Sequence, residues 1–247
     1  NINKNILSIF FQVSMNQKKL ISNPQKLFWI NLFFNLSALS SVITLFYIHR
    51  GLNFTQISIL SMIISLFIIL FEIPTGMISD TIGRKKTIIF GILLLLIHGI
   101  IYIFAYSFIA FIIGIMFFAI AIALFSGCMT AIIYDSLKAV NKENQAKRYI
   151  GKFRSAPLLA AIFISPIASI IAKNLLNSQF VVLIIINIIG YLIALTLAFT
   201  LYEPPYNNVK KIDKFQLLKE SFHQISSNRS LLKLSFNQGL GFVSILI

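Results

Sequence analysis

From Glu72 to Lys86 the chain reads Glu-Ile-Pro-Thr-Gly-Met-Ile-Ser-Asp-Thr-Ile-Gly-Arg-Lys-Lys, a segment that brings two acidic and three basic residues together. Glu72 could exchange a proton as a buried carboxylate, or belong to an ion network with basic groups. Asp80 could accept hydrogen bonds from the N-terminus of a neighbouring helix or pair with a basic side chain. Arg84, Lys85 and Lys86 form a consecutive cationic group suited to an anionic headgroup layer. Gly83 can adopt the positive φ that a chain reversal needs, and Gly76 would let another helix approach closely. Together these residues describe a helix end, a very short turn and a new helix start.

Asp135 closes a long uncharged run. At the C-terminal end of a helix the dipole disfavours an anion, so an Arg or Lys is expected beside it. Asn31 and Asn35 are one helical turn apart and share a face, lining a cavity or hydrogen-bonding to a neighbouring helix. His98 has apolar neighbours on both sides, and Cys128 reads as a small buried hydrophobe. One Cys, three His and seven acidic residues offer no convincing nucleophile–base or metal-ligand spacing. No enzyme, cofactor or metal site is expected, and a lone Cys excludes a disulfide framework.

The elements that must carry these groups are membrane helices. Of 247 residues, 57% are hydrophobic and 11% charged, and the mean hydropathy is +0.87. Soluble domains carry about 25% charged residues to cover their surface. Residues 87–134 contain no Asp, Glu, Lys or Arg. As one helix that run would reach about 72 Å, against roughly 30 Å of hydrocarbon, so it must fold back, near Tyr106-Ser107. No barrel-like alternation of about ten residues is present. The pattern predicts an all-α fold with helices near 28–48, 55–79, 87–106, 108–134, 148–172 and 179–202, and a seventh from about 230 that stops at Ile247. Pro157 and Pro166 are expected to interrupt and kink the fifth.

Basic residues then orient the chain. With the N-terminus in the cytoplasm, 19 of the 21 Lys and Arg residues fall on cytoplasmic segments, leaving Arg50 and Lys173 outside. This asymmetry accounts for most of the +14 formal charge, so no nucleic-acid partner is expected.

The arrangement Gly76, three residues, Asp80, two residues, Gly83-Arg84-Lys85, placed between the second and third helices, resembles the signature of the major facilitator superfamily. Glu72-Ile-Pro-Thr looks like a bacterial variant of it. The stretches Ser126-Gly127, Ala131–Leu137 and Glu203-Pro204 are similar to a bacterial branch that includes drug-efflux-like transporters. The fourth helix departs from the drug-antiporter pattern, having no Arg or Lys between 87 and 137 with Asp135 as its acid. The resemblance implies secondary transport of a small-molecule substrate by alternating access, with proton-coupled efflux as one mode, across a bacterial cytoplasmic membrane. It implies that the first and fourth helices line the path, with Asn31, Asn35 and Gly127 facing a cavity, and that the third and sixth face mainly lipid. Gly76, Asp80, Gly83, Arg84 and Lys85 would form the conformational motif, with Glu72 and Asp135 in a proton-linked or ion network.

The expected organisation is a cytoplasmic segment 1–26, a six-helix bundle 27–202, a cytoplasmic linker 203–229 with a short surface helix around 213–224, and a partial seventh helix 230–247. Since the family has two six-helix bundles, the partners expected are membrane lipid and a C-terminal bundle absent from this sequence. The fragment alone is then expected not to transport. The competing reading is a non-transporting scaffold or sensor made from one bundle.

Overall fold

A computed structural model describes the backbone of residues 2–204 and the side chains of residues 17–204 except Ile73, Met77 and Asp80. The expected seventh helix, the surface helix around 213–224 and most of the linker lie outside the described residues. Helices α1 (Ile2–Phe34), α2 (Ile43–His49), α3 (Phe54–Ile82), α4 (Arg84–Phe104), α5 (Phe108–Lys138), α6 (Ala146–Ile171) and α7 (Asn177–Phe199) form an all-α bundle, with a short 3-10 turn at Ala38–Val42 between α1 and α2. Six helical stretches are long and apolar enough to cross a membrane: one combines α1 and α2, and the others lie in α3 to α7.

Polar residues set the helix starts. At α3 the Asn53 side chain accepts from the Gln56 backbone N–H at 2.8 Å, and the Gln56 side chain accepts from Asn53 N–H at 3.0 Å. At α5 the Ser107 hydroxyl accepts from Ala110 N–H at 3.2 Å. The reversal between α3 and α4 is a single residue, Gly83, with φ 97°. Most boundaries lie within about four residues of the expected ones. The fifth crossing differs in kind: α6 runs as one helix through both Pro157 and Pro166 instead of being interrupted.

α3 packs on α5, α5 on α1 and α1 on α6, while α4 packs on α5 and α7, and α7 on α1. One apolar cluster, around Ile88, Ile92, Leu124 and Met129, fills the half nearer the Arg84 end; another, around Phe46, Phe111 and Phe180, fills the half nearer Arg50. Close helix approach uses glycines that nothing in the sequence singled out. A Cβ on Gly114 would meet the Tyr102 ring, and one on Gly99 the Ile188 side chain at 2.8 Å. Gly76 behaves otherwise, since an added Cβ there meets nothing within 4 Å. The expected close approach at Gly76 is therefore not made within the described bundle; the residue faces open space.

The third and sixth crossings are not simply peripheral. Each buries one side and leaves a single apolar stripe uncovered, Phe90, Leu93, Ile97, Ile100 and Phe104 on α4, and Val182, Ile185, Ile189 and Leu192 on α7. The helical period selects that stripe, although the composition is apolar all round.

The first crossing is also not the continuous helix expected over 28–48. α1 ends at Phe34, residues 35–37 are irregular, and the chain resumes as the 3-10 turn and α2. Unpaired backbone at membrane depth is costly unless something satisfies it. Here the Asn187 side chain on α7 accepts from Ala38 N–H at 2.7 Å, and Gly190, one turn further along, lets α7 lie against the Phe33 carbonyl.

Candidate functional site

The ionic residues of the sequence motif gather at one end of the bundle. Arg84, the first residue of α4, is ion-paired with Asp135 near the end of α5. That contact supplies the cation required by an anion at a helix C-terminus. The Glu203 carboxylate accepts from the backbone N–H groups of Arg84 and Lys85, both at 2.8 Å, so an anion sits on the N-terminus of α4. Gly83 is needed at this point for its positive φ, since an added Cβ would meet the Glu203 carboxyl group only in ordinary contact at 3.4 Å. Lys85 Nζ donates to the carbonyl of Phe199 and Lys26 Nζ to that of Thr200, each at 2.7–2.8 Å, closing the end of α7. The side chain of Asp80 is outside the described residues.

A cavity of about 250 Å³ opens above this cluster between α3 and α5, lined by Glu72, Gly76, Arg84, Ser126, Gly127 and Cys128 among others. Ser126 donates to Glu72 at 3.2 Å, and the Cys128 thiol donates to the Arg84 carbonyl at 3.2 Å. Nine residues of α5 separate Ser126 from Asp135, roughly 13 Å of helix. Glu72, bonded to Ser126, therefore lies roughly 13 Å along the bundle from the Arg84–Asp135 pair, at the last residue of the apolar stretch Phe54–Glu72. Among the described residues, Arg84–Asp135 is the only ion pair, so Glu72 has no cationic partner there. A carboxylate at membrane depth, beside a hydroxyl and an open space, can take up a proton or a cation. Gly127, like Gly76, faces open space.

Asn31 and Asn35 are brought together but play different parts. Asn31, 5% exposed, donates to the Phe153 carbonyl of α6 at 2.8 Å. Asn35 donates to the backbone and side-chain oxygens of Asn31 at 2.7 and 2.9 Å and is itself half-buried. His98 is held by the Gly114 carbonyl at 3.0 Å and by the Tyr102 and Phe118 rings, away from any carboxylate among the described residues.

Several structural residues had no distinctive sequence signal. Asn23, fully buried, donates to Ser136 at 2.8 Å and to the Tyr202 carbonyl at 2.7 Å, and accepts from Tyr202 N–H. Arg50, at the opposite end, donates to the carbonyls of Ala105 and Ile103 and lies 3.7 Å from the Tyr106 ring centroid. Burial lowers its pKa from the usual guanidinium value. Asn187 could have been suspected as a lone amide in a run of Ile and Leu; Asn23 gave no such contrast.

No individual curated protein matches the chain. The sequence model of the Major Facilitator Superfamily matches residues 28–247, nearly the whole chain and all six described crossings, and the chain therefore belongs to this superfamily of membrane transporters, which are not enzymes.

Proposed function

We propose that the protein is part of a secondary active transporter that moves a small solute by alternating access, with proton-coupled efflux as its mode. The observation that carries this reading is Glu72: an ionisable group inside the span, hydrogen-bonded to Ser126, unpaired with any described cation, and lining a cavity that leads toward the Arg84–Asp135 pair. Protonation of such a group changes the charge of the cavity, which alters the relative stability of two arrangements of the helices. The Gly83–Lys85 turn, held by Asp135 and Glu203, is the element whose packing would differ between them. Resemblance of residues 72–75 and 126–137 to a drug-efflux-like branch supports export, and the basic residues support a cytoplasmic N-terminus in a bacterial cytoplasmic membrane. On this reading residues 27–202 are one bundle, 203–229 the linker, and a second six-helix bundle completes the pathway.

The test uses the complete two-bundle protein in sealed vesicles with an imposed proton gradient. Glu72→Gln should abolish gradient-driven flux while leaving solute exchange without a gradient, and Asp80→Asn should slow both without impairing insertion. Gradient-driven flux at the wild-type rate in Glu72→Gln, at matched protein level, would remove Glu72 from coupling.

A further inference from the structure

We infer that the outward seam between α4 and α7 ends in a headgroup site, and that this site holds one anionic phospholipid of the cytoplasmic leaflet. It shares no lining residue with the Glu72 cavity, and it stands whether or not the protein moves a solute.

Four lysines converge where α7 ends. Lys85 Nζ donates to the Phe199 carbonyl and Lys26 Nζ to that of Thr200, while Lys19 Nζ lies 5.7 Å from the centroid of the Tyr202 ring. Lys86 follows Lys85 on α4 and is exposed, as is Lys19. Bonds to adjacent carbonyls hold two ammonium groups close together, and like charges so placed repel. The neighbouring Glu203 carboxylate already accepts from the backbone N–H groups of Arg84 and Lys85. Among the described residues, none of the four lysines has a carboxylate within ion-pair distance. An ammonium group carries three N–H donors, so Lys26 and Lys85 each keep two beyond their carbonyl bonds. Phosphodiester oxygens accept such donors and neutralise the charge.

An apolar surface leads to these cations from both helices. On α4 the uncovered positions run Lys86, Phe90, Leu93 and Ile97, so Lys86 heads the stripe. On α7 they run from Ile189 through Leu192 to Phe199, whose carbonyl is the one that Lys85 bonds. The two helices are antiparallel and meet at Gly99 against Ile188. In such a pair the residue that follows each contact residue lies on the same side of the seam. Those residues, Ile100 and Ile189, are both exposed, so the stripes form one surface. Lys86 to Ile97 spans roughly 16 Å of helix and Phe199 back to Ile189 roughly 15 Å, half of a ~30 Å hydrocarbon layer. That is the depth of one leaflet, with the lysines at its headgroup level. A choline or ethanolamine headgroup would bring a further cation to this corner, whereas a phosphatidylglycerol headgroup brings net negative charge alone.

The experiment measures lipid binding to the complete protein by native mass spectrometry, titrating dioleoyl phosphatidylglycerol or dioleoyl phosphatidylcholine into a neutral detergent. The first phosphatidylglycerol should bind at least about tenfold more tightly than phosphatidylcholine. Lys19→Gln combined with Lys86→Gln spares the bonds that close α7 and should weaken that binding about tenfold. Lys142→Gln combined with Lys147→Gln removes the same charge at the α5–α6 connection and should weaken it less than about twofold. Equal affinity for the two lipids would overturn the site. So would equal losses in the two double variants, the mark of diffuse attraction to a basic face. Displacement of the lipid by millimolar glycerophosphoglycerol or inorganic phosphate would show a free-anion site and overturn the lipid assignment. Should the Lys19/Lys86 variant accumulate poorly, photoreactive benzoylphenylalanine replacing Leu93 or Ile189 decides in bilayers holding both lipids. It should crosslink phosphatidylglycerol in preference to phosphatidylcholine, and the same group at the exposed Ile113 of α5 should not discriminate. No preference at positions 93 and 189 would likewise overturn the site.

Discussion

Replacing Gly190 by Ala should be among the most damaging small substitutions in the bundle. A Cβ there would lie 2.6 Å from the Phe33 backbone oxygen and 3.8 Å from the Leu36 side chain. A backbone oxygen cannot rotate out of the way, so α7 must move off α1 or the last carbonyls of α1 must tilt. Overpacking of this kind costs about 1–3 kcal/mol. At roughly 2–4 °C per kcal/mol for a domain of this size, the melting temperature should fall by about 2–12 °C. The molecule carries its own reporter: Cys128 is the single cysteine and is buried, so a thiol-reactive fluorogenic dye in detergent reads unfolding. Gly76→Ala and Gly127→Ala are the controls, because an added Cβ meets nothing within 4 Å at either position. They should stay within about 0.5 kcal/mol of the parent. A Gly190→Ala protein that melts with the parent, or a Gly76→Ala protein that loses as much, would refute the packing argument.

Asn187→Leu should destabilise by about 1–3 kcal/mol, since it removes the acceptor for the buried Ala38 N–H, and the same dye assay measures the loss. Glu203→Gln should change stability by less than about 1 kcal/mol, as the carboxylate is exposed. It should nevertheless slow transport severalfold by loosening the Gly83–Lys85 turn, and flux at matched protein level tests this. For orientation, a cysteine replacing Lys86 should resist an impermeant maleimide applied to intact cells, and one replacing Asn174 should react. The opposite pattern would invert the assigned sidedness.

The crossings were legible because membrane thickness converts directly into a number of apolar residues, and 48 uncharged residues could only be a hairpin. Gly83 was legible because a one-residue reversal between long helices needs positive φ. The gap in the first crossing was not, for Asn35-Leu36-Ser37 contains neither Pro nor Gly, and its support comes from Asn187, 149 residues away from Ala38. Gly76 shows a related limit. Spacing marks a glycine as able to admit a neighbour, but only the packing shows whether a neighbour comes, and the glycines that are met inside the bundle are Gly91, Gly99, Gly114 and Gly190. Asn31 and Asn35 looked equivalent by spacing; the distinction arose from the Phe153 carbonyl on α6.

Lys26 and Lys85, which close the carbonyl end of α7, also belong to the clusters of positive charge that set which way the chain enters a bilayer. During biosynthesis each lysine would act before its partner exists, because α7 is made last of the six crossings. Once α7 arrives, the same ammonium groups find the negative end of its dipole waiting at the same membrane face. A helix threaded in the wrong direction would bring them its N–H end instead and gain no bond. Neutralising either lysine should therefore damage the molecule twice, first in the fidelity of insertion and later in the retention of the last helix. The two losses should separate in time in a pulse-chase experiment.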